Sequence, residues 1–324
     1  MKTGREEKHM IKPKRLSPGD TIGVISPASP SENRSEVFRA KEYIEAMGYK
    51  VVIGKNVNKT RGITAASEED RLDDIHEMFR RDDVDAVFVT QGGYGCAQLL
   101  RNLDFDLIKE HPKILTGFSD ITALHLAINK VCDMVTFHAP GMARFNDEEL
   151  TEYTKESFFR NLSSPEPPGE IKKASPKKWL VRINGGTCEA PVIGGNLTLI
   201  CASLGTPWEI DTKGKILFFE DVEAEPWVMD HMLSHLRNAG KLDDAAGFVI
   251  GECTDCVPRK NDPGYFTDLS IEDVFEYYLK PLGKPVLYGL PMGHSDDLAT
   301  LPLGVMTRLD ADKKTFTVLE SGVV

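Results

Sequence analysis

The sequence is most easily bounded by what it lacks. Nowhere in its 324 residues is there a long hydrophobic run. No segment approaches the ~18 consecutive apolar residues that a membrane helix needs, so no membrane association is expected. Residues 1–15 are polar and charged and have no apolar stretch like that of a signal peptide. A cytoplasmic location is therefore expected. Residues 1–9 read as an extension, because Met10-Ile11-Lys12-Pro13 makes a natural start. Cysteine is sparse: six residues spread over a chain of this size suggest reduced thiols and not a disulfide framework. Positive charge is also short, with 39 basic against 50 acidic residues and a net charge of -11, which argues against a nucleic-acid binder. No internal repeat is visible. What remains is an ordinary globular composition, 41% hydrophobic and 27% charged, long enough for two domains.

The first half alternates strand and helix signals. Apolar runs at 20–28, 50–54, 84–90, 113–118 and 134–137 read as strands. Helical patterns fill 32–47, 67–81 and 120–130, the second opened by the capping signal Ser67 with Asp70. Strands separated by such helices imply βαβ units and a parallel sheet, whose functional loops lie at the carboxyl ends of the strands. Composition changes at Ser-Ser-Pro-Glu-Pro-Pro-Gly and Lys-Lys-Ala-Ser-Pro-Lys-Lys, a linker pattern. The expected division is an N-terminal domain at 1–165, a linker at 166–180 and a C-terminal domain at 181–324. The second half reads as mixed β/α. It has strands at 189–193, 215–219, 247–251, 285–290, 305–309 and 315–319, and helices at 197–204, 226–238 and 270–279.

Several of the strand ends carry reactive residue types. Ser119 follows the run ending at Gly117 and precedes a helix, a partial match to the nucleophile elbow Gly-x-Ser-x-Gly without its second glycine. Taken alone, such a serine is more often an ordinary helix cap. A helix N-terminus there offers unpaired N–H groups to an oxyanion. Of the eight histidines, four lie in helical patterns, His9 is in the extension and His111 precedes a proline. His138, at a strand end, and His294, in Met-Gly-His-Ser-Asp-Asp, remain as candidate bases, and the residues alone do not choose between them. Glu220, at the end of Ile-Leu-Phe-Phe, is a candidate orienting acid or part of a solvated acidic turn. Gln91-Gly92-Gly93-Tyr94-Gly95 is neither a P-loop nor a dinucleotide fingerprint, but its backbone can approach a reacting carbonyl. Cys253 and Cys256 form one isolated CxxC, read as structural. Trp179 is either a core residue or an aromatic able to stack on a base.

Together these segments resemble the LD-carboxypeptidase family, which includes murein tetrapeptide carboxypeptidases and microcin C immunity peptidases. The resemblance runs from Leu16 to the C-terminus. It is carried by Leu-Ser-Pro-Gly-Asp-Thr-Ile-Gly-Val at 16–24, Gln-Gly-Gly-Tyr-Gly at 91–95 and Gly-Phe-Ser-Asp-Ile-Thr-Ala-Leu at 117–124. Further on it is carried by Gly-Gly-Asn-Leu at 194–197, Phe-Phe-Glu-Asp-Val at 218–222 and Gly-His at 293–294. One departure is Gln91, where the family often has arginine. The resemblance implies a flavodoxin-like N-terminal domain, related to class I glutamine amidotransferases, and a smaller swivelling β/α C-terminal domain. It implies a catalytic triad of Ser119, Glu220 and His294, with the backbone N–H groups of Gly93 and Asp120 as oxyanion hole. Gly92, Trp179 and Asn196 are assigned to substrate binding. It further implies a homodimer and no metal or other cofactor. The expected substrate is a small peptide, the murein tetrapeptide losing its terminal D-alanine, or alternatively a peptidyl or aminoacyl nucleotide.

Overall fold

The computed structural model describes residues 10–146, 150–259 and 268–324, so His9 and the expected extension lie outside the described residues. Strands are β1 (Thr21–Ile25), β2 (Lys50–Ile53), β3 (Ala86–Val89), β4 (Ile114–Gly117), β5 (Thr136–His138), β6 (Gly169–Glu170) and β7 (Val181–Asn184). They continue as β8 (Thr187–Asn196), β9 (Ile216–Glu220), β10 (Gly247–Gly251), β11 (Val286–Leu290), β12 (Leu301–Leu303), β13 (Met306–Asp310) and β14 (Thr315–Val318). The helices are α1 (Arg34–Ala46), α2 (Glu68–Arg80), α3 (Cys96–Leu99), α4 (Phe105–Glu110) and α5 (Thr122–Val131). After these come α6 (Glu152–Ser163), α7 (Leu197–Ser203), α8 (Pro226–Asn238), α9 (Lys241–Asp244) and α10 (Ile271–Leu279).

The strands form two sheets. The first has six strands in the order β12-β5-β4-β3-β1-β2, with β1 to β5 parallel and β12 antiparallel at the edge. The second has eight, β6-β14-β13-β8-β9-β10-β11-β7, with β8 to β11 parallel at its centre and antiparallel strands on both sides. The central strands are buried on both faces, which is why they read as continuous apolar runs. In β9, Ile216 and Phe218 join one apolar cluster while Leu217 and Phe219 join another, as the two-residue period of a strand requires. The cluster containing Ile216 and Phe218 also holds Val24, Phe88 and Phe137 of the first sheet. One apolar core therefore joins the two sheets.

Local signals explain most helix starts. Ser67 accepts the Asp70 N–H at the head of α2. Pro226 occupies the first turn of α8, and Ser270 with Asp273 closes a full capping box on α10. Helix α6, β6, β7 and β12 have no counterpart among the elements expected from the sequence. The expected linker at 166–180 contains β6, which pairs with β14. The second sheet, expected in the smaller domain, is the larger of the two. The chain also returns: β12 completes the edge of the first sheet, and Val324 N–H donates to Pro13 O while its carbonyl accepts Arg15 N–H. Among the described residues, no helix is long and apolar enough to cross a membrane.

Candidate active site

Ser119 begins a short 3-10 turn directly after β4 and holds φ at +62°. For a residue with a Cβ this left-handed conformation costs about 1–2 kcal/mol, and it turns the hydroxyl out of the strand–helix path. The turn's first intrahelical bond runs from Ile121 N–H to Phe118 O. The Asp120 N–H precedes it and has no partner one turn back. The Asp120 side chain is buried and points away: its Oδ2 accepts the Cys96 N–H at 2.7 Å, capping α3. Burial pushes this carboxyl up, opposed by the N–H bonds it accepts.

Glu220 is the last residue of β9 and is fully buried. His294 lies in the loop after β11. Its Nδ1 is 2.7 Å from Glu220 Oε2 and its Nε2 is 3.0 Å from Ser119 Oγ. Burial pushes the Glu220 carboxyl up, while the bond to His294 and its positive character pull it down. The ring of Phe118 flanks the imidazole at 4.9 Å between centroids. His138, the other candidate base, is fully buried beneath Phe118 and Phe218, and burial pushes it well below the usual histidine value.

The two sheets meet at the Gly-Gly-Asn segment that ends β8. Asn196 is paired with Glu220 in the β8–β9 register. Its N–H donates to Thr122 Oγ1 at 2.9 Å, three residues beyond Ser119. A Cβ on Gly195 would fall 2.4 Å from that same hydroxyl, and one on Gly194 would fall 1.7 Å from Phe218 O. Glycine at 194 lets β8 pair closely with β9, and glycine at 195 lets the second sheet dock onto α5, which brings Glu220 and His294, both carried by that sheet, to Ser119. Asn196, expected to bind substrate, lies beside Glu220. It is 3% exposed. Its Nδ2 donates to Glu220 Oε1 and its Oδ1 caps α7 through Leu199 N–H, each at 3.3 Å. Both ends of the amide are used inside the protein, so it braces Glu220.

Gly92 abuts the nucleophile: a Cβ there would lie 2.8 Å from Ser119 Cβ. Gly93 follows with φ +109°, packed on Ser29. No local pattern singles out Arg71, which reads as one more charge on α2. It is buried, and its guanidinium donates to Pro27 O, Gly95 O and Gln98 Oε1, pinning the glycine-rich loop. Gln91 donates to Pro30 O at 2.7 Å and so anchors the same loop to its neighbour. Beside His294 opens a cavity of about 560 Å³, lined among others by Trp179, Tyr288, Lys178, Glu252, Glu272 and Asp297. Trp179 is 84% exposed, which excludes the core reading. Cys253 reaches the cavity wall and Cys256 lies buried behind it; all six cysteines are unpaired. A hydrogen bond with Cys256, with burial, pushes the Cys253 thiol up, away from a reactive thiolate.

A serine hydroxyl, an imidazole and a buried carboxylate in one line, at the carboxyl ends of parallel strands, define a serine-type hydrolase site on an α/β scaffold. The sequence matches show which one. The profile of the LD-carboxypeptidase N-terminal domain matches residues 22–139 and that of its C-terminal domain matches 189–309. The chain belongs to the LD-carboxypeptidase family. It is 40% identical over 313 residues to a probable murein peptide carboxypeptidase of Bacillus subtilis, covering 96% of this chain and 95% of that one. A solved structure of the microcin C7 self-immunity protein MccF with aspartyl sulfamoyl adenosine superposes with a TM-score of 0.87 at 26% identity, over 97% and 100% of the two chains. The muramoyltetrapeptide carboxypeptidase of Oxalobacter formigenes gives a TM-score of 0.78 at 29% identity, over 92% and 97%.

Proposed function

We propose that this protein is a serine LD-carboxypeptidase that releases terminal D-alanine from a murein tetrapeptide during cell-wall recycling. The observation that carries the reading is the line Ser119 Oγ–His294–Glu220, assembled from both sheets. Ser119 attacks the carbonyl of the residue before the terminal D-amino acid. His294 Nε2 takes the hydroxyl proton and gives it to the leaving amine. Glu220, an acceptor only when ionised, holds the Nδ1–H tautomer and stabilises the imidazolium. The N–H groups of Gly93 and Asp120 receive the oxyanion, and Gly92 lets that backbone approach. Water then attacks the acyl-enzyme, with His294 again as base. Mass spectrometry of the tetrapeptide after incubation should show loss of one alanine with the wild type and none with Ser119→Ala. An unchanged wild-type spectrum refutes the reading, and an active Ser119→Ala refutes the triad.

The second reading is an immunity-type peptidase acting on peptidyl or aminoacyl nucleotides. Exposed Trp179 at the cavity mouth favours it, since an aromatic there can stack on a base. Among the described residues the same cavity is lined by Glu252, Glu272, Asp296 and Asp297 against one lysine, Lys178. That field disfavours a phosphate and suits a peptide carrying an ammonium group. Assaying the tetrapeptide and aspartyl sulfamoyl adenosine in parallel, with Trp179→Ala as control, discriminates the two.

The reading extends to the finer architecture. The order β2-β1-β3-β4-β5 supports a flavodoxin-like nucleophile domain. Limits of 1–165 and 181–324 around a linker at 166–180 follow the two sheets, with β6 and β12 the exceptions. A swivel of the second domain would admit substrate to the cleft, within the small range that the shared apolar core permits. Unpaired cysteines suit a cytoplasmic location, and a homodimer is the assembly the family resemblance implies.

A further inference from the structure

A carboxypeptidase must recognise a free carboxylate next to the scissile bond. Among the described residues the cavity beside His294 offers one lysine, Lys178, already 3.0 Å from Glu252. A second cation, Arg144, lies on the loop after β5 and bonds the loop that carries His294. Residues Met142–Arg144 form a short 3-10 turn, and Ala143 N–H donates to Thr90 O at 3.0 Å. Gly141, at its head, packs so tightly that a Cβ would lie 3.0 Å from Gln91 Cα. This is the loop whose next residue, Gly92, abuts Ser119. From the other end of the turn, Arg144 Nη1 donates to the carbonyl of Ser295, the neighbour of His294, at 3.2 Å. Arg144 is thus tied to the loop beside the nucleophile and to the loop that carries the base.

Its guanidinium is half-buried, and among the described residues no carboxylate pairs with it. Arg81, Arg182, Arg259 and Arg308 each pair with a carboxylate, and Arg144 does not. A guanidinium has five donors in a fixed fork matched to a carboxylate, and Ser295 O takes one. We propose that Arg144 binds the α-carboxylate of the departing D-amino acid and so restricts the enzyme to chain ends. This rests on the peptidase reading above.

The test compares the murein tetrapeptide with its C-terminal amide, in the full-length wild type and in Arg144→Gln and Arg144→Lys. Wild type should prefer the free acid. Arg144→Gln should lower kcat/KM for the acid by about 10- to 100-fold, the range of a charge-assisted hydrogen bond, and leave the rate on the amide near its wild-type value. Arg144→Lys should recover part of the loss, because it restores charge without the fork. Retention of the wild-type acid-to-amide ratio by Arg144→Gln overturns the proposal. So does an equal loss on both substrates, which marks a merely structural role. A wild type that cleaves neither peptide refutes the peptidase reading itself, a result distinct from both.

Discussion

Truncating Asn196 to alanine should slow turnover without loosening substrate. The change removes the α7 cap, at about 1 kcal/mol. It also removes a donor to buried Glu220, and hydrogen bonds to charged groups contribute about 1.5–3 kcal/mol. The 3.3 Å length of that bond puts it at the lower end. A total near 2.5 kcal/mol is large against the ~5–15 kcal/mol that holds a typical protein folded. The chemistry has a sign as well. Burial raises the Glu220 carboxyl, while His294 and Asn196 pull it down. Without Asn196 it rises further, and a protonated Glu220 cannot support an imidazolium. The acid limb of kcat should therefore move to higher pH, with kcat at neutral pH down roughly tenfold and KM unchanged. Stability follows the same linkage. A carboxyl raised above its unfolded value contributes stability that is complete below the unfolded pKa and is lost as pH rises through the folded one. The deletion enlarges that loss, so urea unfolding should show greater destabilisation near pH 7.5 than near pH 5. A severalfold rise in KM with kcat intact would refute the reasoning and return Asn196 to the substrate.

Two further changes probe the same line of residues. Glu220→Gln keeps the volume but loses the charge, and should lower kcat by about 10³–10⁴-fold, the scale of the carboxylate-to-amide change in other serine triads. Because burial disfavours that charge, the urea midpoint should not fall; full activity would refute the role of the carboxylate. Ser119→Gly and Ser119→Ala should both be inactive, but glycine relieves the left-handed strain of about 1–2 kcal/mol at the expense of about 0.5–1 kcal/mol of chain entropy. The glycine variant should therefore unfold at higher urea, and equal midpoints would show that φ +62° stores no strain.

The central strands and the turn that carries Ser119 could be read from the sequence because their causes are local. Val84–Thr90 and Lys113–Phe118 are continuous apolar runs, and the glycines and prolines around β10 and α8 fix their ends. Strand β12 was hidden because Pro302 speaks against a strand; it is tolerated here only at a sheet edge. Helix α6 was hidden because Thr154 and Asn161 share its buried face with Phe158 and Leu162, which blurs the apolar stripe. The base was undecided because His138 and His294 both follow apolar strands; only the distance to Ser119 separates them. The contact between Asn196 and Glu220 comes from strand register across residues far apart in sequence, which no local pattern reports. The glycine pair at 194–195 was legible as a motif and not as a reason, since the atoms that forbid a Cβ belong to Phe218 and Thr122.

The return of β12 to the first sheet also sets a timetable. During synthesis from the N-terminus, Ser119 and β1 to β5 emerge early, yet the edge beside Thr136–His138 stays open until residues 301–303 arrive. His294 is made only seven residues before that strand. On the proposed roles, the nascent chain carries Ser119 for most of its production without the imidazole of His294. Closing the last edge and arming the serine become one late event, so that a truncated product is left with an unpaired strand edge and no hydrolytic power.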